Sequence, residues 1–252
     1  MNAATEQSLS KVPEVTFLFW LIKIAATTLG ETGGDAVSMS MNLGYLTATA
    51  IFAAIFLAAV GGQIAATRFY LSLYWTTIIA TTTLGTTLAD YATRSLGIGY
   101  AGGSSMLLLL LVASLAVWYR TMGTVSVDSL SSPKAEMFYW VTIMFSQTLG
   151  TALGDWTADT AGLGYTGAAA VFSALLALVA AGYFWTNISR TMLFWAAFVL
   201  TRPLGAVVGD FLDKPVASGG LAMSRYAASA VLLIFIVACM ILFKQKAASK
   251  SH

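Results

Sequence analysis

The stretch TLGETGGD (28–35) decides the fold because it returns three times, as TLGTTLAD (83–90), TLGTALGD (148–155) and PLGAVVGD (203–210). Outward from each copy the register holds. Trp20, Trp75, Trp140 and Trp195 stand ten residues before Gly30, Gly85, Gly150 and Gly205, and fifteen before Asp35, Asp90, Asp155 and Asp210. A further glycine follows at offset 24: Gly44, Gly99, Gly164 and Gly219. Four long patterns held in register make the chain a fourfold internal repeat, with starts offset by 55, 65 and 55 residues.

Hydrophobic residues make up 58% of the 252 residues and charged residues 10%. Mean hydropathy is +0.79. Apolar runs of about 20 residues, the length a helix needs to cross a bilayer, recur throughout. The sequence therefore predicts an all-α polytopic membrane protein. Eight spans are expected at 14–35, 44–67, 69–91, 99–120, 136–156, 164–187, 190–211 and 221–244. Each repeat is then a helical hairpin. An even number of spans per repeat makes the four hairpins parallel rather than inverted, in a pseudo-fourfold array. The ten extra residues lie in the polar stretch TVSVDSLSSPK (124–134). They divide the chain into a first half (1–122), a cytoplasmic linker (123–135) and a second half (136–252). The polar start, MNAATEQSLSKVPEV, has no small-residue cleavage site, so no removed signal peptide is expected.

Basic residues set the orientation. Lys11, Arg68, Arg120, Lys134, Arg190, Lys244, Lys246 and Lys250 fall at one end of the spans, against Arg94, Lys214 and Arg225 at the other. The positive-inside bias puts both termini in the cytoplasm, here at a bacterial inner membrane. The four tryptophans are expected at the inner interface, with Lys23 snorkelling to the same level. The tail KQKAASKSH is expected to be a short solvated end.

The glycines and acids of the motif ask for separate explanations. Gly30/Gly34, Gly150/Gly154 and Gly205/Gly209 are GxxxG pairs, with Gly85/Ala89 as the small-residue equivalent; such pairs let helix backbones approach closely in lipid. Packing needs only the glycines. An ionised carboxylate at membrane depth costs about 2.5–3.5 kcal/mol on insertion scales and commonly faces a bundle interior or a watery cavity. The four aspartates either end helices at the water boundary or gather around a shared axis as a cation-attracting site.

Four residues after each Asp stand Met39, Arg94, Asp159 and Lys214. Asp90–Arg94 and Asp210–Lys214 read as i,i+4 ion pairs, whereas Glu31–Asp35 and Asp155–Asp159 are like-charged pairs at the same spacing. The odd-numbered repeats are thus expected to carry unneutralised acid. The candidate metal ligands are Glu31, Asp35, Asp155, Asp159, Asp90 and Asp210. Thr28, Thr83, Gln147 and Thr148 could add neutral oxygen, although a threonine in an apolar helix often bonds only its own backbone. Such a set suits Mg²⁺, Ca²⁺ or Mn²⁺. The only histidine is His252 and the only cysteine Cys239, which disfavours zinc or copper and leaves no intrachain disulfide. Repeat four departs most, with Pro203 expected to kink the seventh helix. Arg202, a permanent charge inside a span, must meet Asp210, Asp155 or Glu31, as an internal counter-ion or as a structural salt bridge.

With its TLG-x-x-x-GD segments, the chain resembles over nearly its whole length a bacterial family of uncharacterised "membrane-anchored" integral membrane proteins. That resemblance implies a multispan membrane protein and little about substrate. Glu31, Gly34 and Asp35 are similar to part of the E-x-G-D-[KR]-[ST] helices of calcium/manganese–proton exchangers. This chain has one extra residue between Glu and Gly, and Ala36-Val37 where those carry basic and hydroxyl residues.

The leading expectation is an integral membrane transporter of a divalent metal cation, with Mn²⁺ favoured over Ca²⁺ or Mg²⁺. Carboxylate protonation could couple it to the proton gradient while one half rocks against the other. The competing reading is a non-catalytic sensor or partner subunit assembled through small-xxx-small packing. No nucleophile–base set supports an intramembrane enzyme. Expected partners are the lipid bilayer, divalent cations as substrate and a second copy of the chain; no cofactor and no nucleic acid is expected.

Overall fold

The computed structural model describes residues 10–127, 130 and 132–248. The described chain is helical, with a single isolated bridge between Pro13 and Ala247. Eight long helices follow one another: α1 (Phe17–Asp35), α2 (Gly44–Ala65), α3 (Leu71–Asp90), α4 (Gly99–Met122), α5 (Pro133–Asp155), α6 (Gly164–Trp185), α7 (Arg190–Asp213) and α8 (Arg225–Leu242). They match the expected spans to within a few residues. Local sequence fixes several ends. Thr16 accepts a hydrogen bond from the Phe19 amide at the start of α1, and Ser132 does the same for Ala135 ahead of Pro133 in α5. Pro203 lies inside α7, which runs on to Asp213 as one helix.

The first helices of the repeats form a closed ring, in which α1 packs on α3, α3 on α5, α5 on α7, and α7 on α1. The second helices stand outside it. Each packs chiefly on the first helix of the following repeat, not on its own hairpin partner: α2 on α3, α4 on α5, α6 on α7 and α8 on α1. The turns explain the offset. After Asp35, Asp90 and Asp155 the helix widens into a π-helical turn (Ala36–Ser40, Tyr91–Ser95, Trp156–Thr160). The next helix then begins at a glycine whose φ is +73° at Gly44, +73° at Gly99 and +64° at Gly164. A side chain there would force L-residue strain, which accounts for the fourth fixed position of the repeat. This wide exit carries each returning helix toward its neighbour.

The ring seams are made by the repeated glycines, in a cyclic pattern. A Cβ on Gly30 would lie 2.4 Å from Thr82, on Gly85 2.9 Å from Gln147, on Gly150 2.2 Å from Arg202, and on Gly205 2.1 Å from Thr27. Thr27, Thr82, Gln147 and Arg202 are themselves equivalent positions of the repeat. The second seam glycines behave alike, with Gly34 against Thr86, Gly154 against Ala206 and Gly209 against Glu31. The four helices therefore meet in parallel and at one height, as close-packed backbones do in lipid.

Burial separates the two rings. Along their most apolar windows, 11% of α6 and 17% of α2 is buried inside the protein, against 72% of α7. The outer helices turn large apolar side chains such as Leu57, Leu109 and Leu178 outward. Among the described residues five helices, α2, α4, α6, α7 and α8, are long and apolar enough to cross a membrane. The protein is an eight-helix polytopic membrane bundle whose outer ring supplies the lipid-facing surface.

Two expectations about the interface are overturned. Trp75, Trp140 and Trp195 are buried in the protein's own core, and only Trp20 keeps partial exposure. Lys23 does not snorkel. It is fully buried on the inward face of α1, with Nζ 3.3 Å from the Thr201 hydroxyl and 4.0 Å from the centre of the Phe198 ring. The physical reasons differ: Lys23 lies on the inward face of the ring, whereas the tryptophans lie in seams between ring helices, where segments such as Gln245 and Val125 cover Trp75 and Trp195. The described part of the stretch after α8 is also docked rather than solvated, while Ser249 to His252 lie outside the described residues. Gln245 accepts from the Trp75 indole at 3.1 Å, and the Ala248 amide donates to Val12.

Candidate functional site

Residues four apart on the inward faces stack into buried layers along the ring axis, because a helix returns to nearly the same face every four residues. Phe19, Tyr74, Tyr139 and Phe194 form one layer, and Lys23, Ile78, Ile143 and Phe198 the next. Thr27, Thr82, Gln147 and Arg202 follow, then Glu31, Thr86, Thr151 and Ala206, and last the aspartates. The axis is thus aromatic at the end carrying the described N- and C-terminal segments and increasingly charged toward the other. Near the aromatic end the Tyr74 and Tyr139 hydroxyls bond each other at 2.8 Å.

All four repeat aspartates are buried, the most exposed at 3%. They sit inside the protein rather than at a water boundary. Each meets a cation, and here the structure corrects the sequence. Arg94 bridges Asp90 of its own helix and Asp155 of the next, both at 3.0 Å. Lys214 bridges Asp210 at 2.9 Å and Asp35 at 2.7 Å. Arg225 adds a contact to Asp35 at 3.7 Å and pairs with Asp213 at 2.7 Å. The expected i,i+4 pairs exist, but their cations reach across the seam to the following repeat. Asp35 and Asp155 are therefore neutralised, and so is Glu31. Asp159 stands apart, exposed on the π-helical turn that follows α5. For Arg94 and Lys214, which lie beyond the helix ends, burial alone would lower the pKa. The facing aspartates outweigh it and raise both, so the two side chains stay cationic.

Deeper along the axis lies Arg202, fully buried on α7. Its Nη2 donates to Glu31 Oε2 at 3.0 Å, to the Thr86 hydroxyl at 2.6 Å and to the Thr151 hydroxyl. Of its three candidate acids the partner is Glu31. One guanidinium thus ties all four ring helices together at one level. Beside it, the Gln147 amide and the Thr82 hydroxyl have no hydrogen-bond partner among the described residues, nor do Arg202 Nε and Nη1. The other proposed oxygen donors resolve into backbone bonding: Thr28 donates to Ile24, Thr83 to Ile79 and Thr148 to Met144. Their hydroxyls serve their own helices.

Three acids of the original set converge. Glu31, Asp35 and Asp210, all buried on α1 and α7, each offer a carboxylate oxygen, and these lie within 4.8 Å of one another. Asp90 and Asp155 form a second pair around Arg94, across the ring. Sequence reasoning missed Thr86, Thr151 and Lys23. The first two occupy the same repeat position as Glu31, so reading the register column through Glu31 would have found them. Lys23 shares its helical face with Glu31 at a spacing of eight residues, a signal masked by its nearness to Trp20.

Residues 18–69, 73–124, 138–189 and 193–246 each match the family described as a repeat of unknown function, DUF347. No curated protein and no solved structure matches the chain. The likeness to calcium/manganese–proton exchangers finds no support there, and parallel repeats set this fold apart from one built on inverted ones.

Proposed function

The chain belongs to the DUF347 repeat family, and we propose that it is a membrane transporter that passes a small divalent cation along the axis of its inner ring. The reading places it in a bacterial inner membrane with both termini in the cytoplasm, the orientation favoured by its basic residues. One observation carries the proposal: three buried carboxylates, Glu31, Asp35 and Asp210, hold oxygens within 4.8 Å of one another. Oxygen-only donors suit a hard cation, with Mn²⁺, Ca²⁺ and Mg²⁺ the candidates and Mn²⁺ preferred.

The energetics favour a working site over a purely structural one. Buried ion pairs seldom outperform well-packed apolar side chains of the same volume, because desolvation offsets their attraction. A bundle needing only stability has no use for Glu31, Arg202, Asp35 and Lys214 at its centre. In the transport reading the cations are internal substitutes. Lys214 holds Asp35 and Asp210, and Arg202 holds Glu31, until a dication takes their place and the displaced groups turn to other oxygens. Arg94 and Asp155 keep the opposite side of the ring closed meanwhile. Carboxylate protonation offers a route to proton coupling.

The test is the thermal midpoint of the purified full-length protein against Mn²⁺, Ca²⁺ and Mg²⁺, since a ligand specific to the native state stabilises it. At least one ion should raise the midpoint. Lys214→Gln, which removes the competing internal cation, should shift the response to lower ion concentration, and Glu31→Gln should abolish it. Absence of any ion response in both the parent and Lys214→Gln would refute the cation reading.

A further inference from the structure

The pseudo-fourfold ring has four equivalent seams on its outer side, each containing a repeat tryptophan at the end where the described chain begins and finishes. Three are covered by the chain itself. Over the α1/α3 seam, Gln245 bonds the Trp75 indole. Over the α3/α5 seam, which holds Trp140, Lys11 joins the end of α2 to α5: its ammonium donates to the Gln63 and Ile64 carbonyls and pairs with Glu136 at 2.7 Å. Over the α5/α7 seam, the Trp195 indole donates to the Val125 carbonyl at 3.0 Å. The corresponding tryptophans are buried.

The α7/α1 seam differs. The connection between α6 and α7, residues 186–189, is short and exposed, and the Trp20 indole N–H makes no hydrogen bond among the described residues. Among the described residues a cleft of about 580 Å³ remains between α1, α6 and α7, with Ser126 and Val127 also lining it, inside the ~300–1,000 Å³ range of small-molecule sites. Trp20, Leu176, Ala180, Phe194 and Ala197 give it apolar walls, and Thr201 lies at its inner end. Its rim carries Phe17, 83% exposed, and Phe184, 76% exposed; aromatic side chains at this level match a headgroup boundary.

Arg190 supplies the polar end of the cleft. Its guanidinium lies 4.2 Å from the centre of the Tyr183 ring and donates to the Tyr183 carbonyl. It pairs with no carboxylate among the described residues, in contrast to Arg94, Arg202, Lys214 and Arg225. A slot walled by apolar groups, open toward lipid and ending at an unpaired cation complements one ligand chemistry in both parts.

We propose that the α1/α6/α7 cleft binds an anionic phospholipid of the leaflet facing this end of the protein, one acyl chain lying along Trp20, Ala180 and Ala197 and the phosphate paired with Arg190. The lipid completes the fourth seam in the way that chain segments complete the other three. Its acyl chain excludes water from the wall next to Thr201, whose hydroxyl meets Lys23 inside the ring. The inference is independent of which substrate moves along the axis.

The full-length protein in phosphatidylcholine nanodiscs tests this with a trace of phosphatidylglycerol carrying a photoreactive acyl chain. Crosslinks should concentrate on residues 176–184 and 190–201, and phosphatidylglycerol should label roughly fivefold more than phosphatidylcholine with the same chain, the factor expected for one basic residue near the surface. Ala180→Trp fills the slot and should abolish labelling there. Ala197→Phe provides a second filling variant if the first does not fold. Arg190→Gln should reduce phosphatidylglycerol labelling to the phosphatidylcholine level. Undiminished labelling in a folded filled variant, equal labelling of all four seams, or no preference for the anionic lipid would overturn the proposal.

Discussion

The inner and outer rings of this protein are built from the same repeat yet solve different problems. The outer helices α2, α4, α6 and α8 meet lipid, and their sequences are apolar around most of the circumference. The inner helices carry the seam glycines, most of the helical threonines and nearly every buried charge. Hydropathy therefore singles out all four outer helices and just α7 of the inner four. The helices least like membrane spans are the ones sheltered from the membrane. In such a bundle a polar residue within a span is a statement about which ring the helix occupies, because only the inner ring offers it partners.

The contrast can be broken most violently at the seams. Gly205→Leu should yield no folded protein, since its Cβ alone would come within 2.1 Å of the Thr27 hydroxyl and 2.9 Å of that residue's backbone. Gly61→Leu on α2, where a Cβ meets nothing within 4 Å, should fold normally. Recovery of monodisperse protein for the two variants compares the rings directly. Equal tolerance would mean that the inner seam is not a close backbone crossing.

A smaller but still large effect is expected from the central charge. Arg202→Met leaves Glu31 buried without its partner and should cost about 3–5 kcal/mol. Adding Glu31→Leu should recover most of that loss, because the pair as a whole is worth little more than apolar packing. Thermal or denaturant unfolding of the single and double variants gives the coupling. A double variant no better than the single would show that Arg202 acts mainly through Thr86 and Thr151.

The mildest change probes the cross-repeat bridges. Asp155→Asn removes one of the two acids on Arg94 while leaving Asp90 in place, and should lower stability by about 1.5–3 kcal/mol, the scale of a hydrogen bond to a charged group. Had Asp155 faced only Asp159, the same substitution would have relieved repulsion and raised stability. The sign of the shift in unfolding midpoint separates these two arrangements.

Much of this architecture is legible in the sequence alone. The Trp-to-Asp register gave the number of repeats, and an even span count gave their parallel sense. GxxxG spacing located the close seams. What the sequence could not tell was the neighbour. Local spacing pairs Arg94 with Asp90 and Lys214 with Asp210, and both bonds exist, but each cation has a second acid on the next helix. Asp35 and Asp155 thus seemed unneutralised only because their partners lie 179 and 61 residues away. Lys23 misled for a related reason. A lysine near a tryptophan resembles an interfacial anchor until the inward face of its helix is known. Thr28, Thr83 and Thr148 went the other way, since hydroxyls that look like ligands are consumed by carbonyls one turn back.

The step by which every second helix leans on the next repeat has a consequence for how the molecule is made. No hairpin completes its own packing as it leaves the ribosome. α2 waits for α3, α4 for α5 and α6 for α7, and α1 remains uncovered along one side until α8, the last of the described helices, comes round to it. The contact that closes the circle joins the two most distant parts of the chain, and the bridge between Pro13 and Ala247 pins them together. Loop closure of that length is slow compared with pairing adjacent helices. Assembly is therefore sequential like a clasp: three outer links can form during insertion, the inner ring encloses the polar axis when α7 meets α1, and α8 then covers α1 from outside.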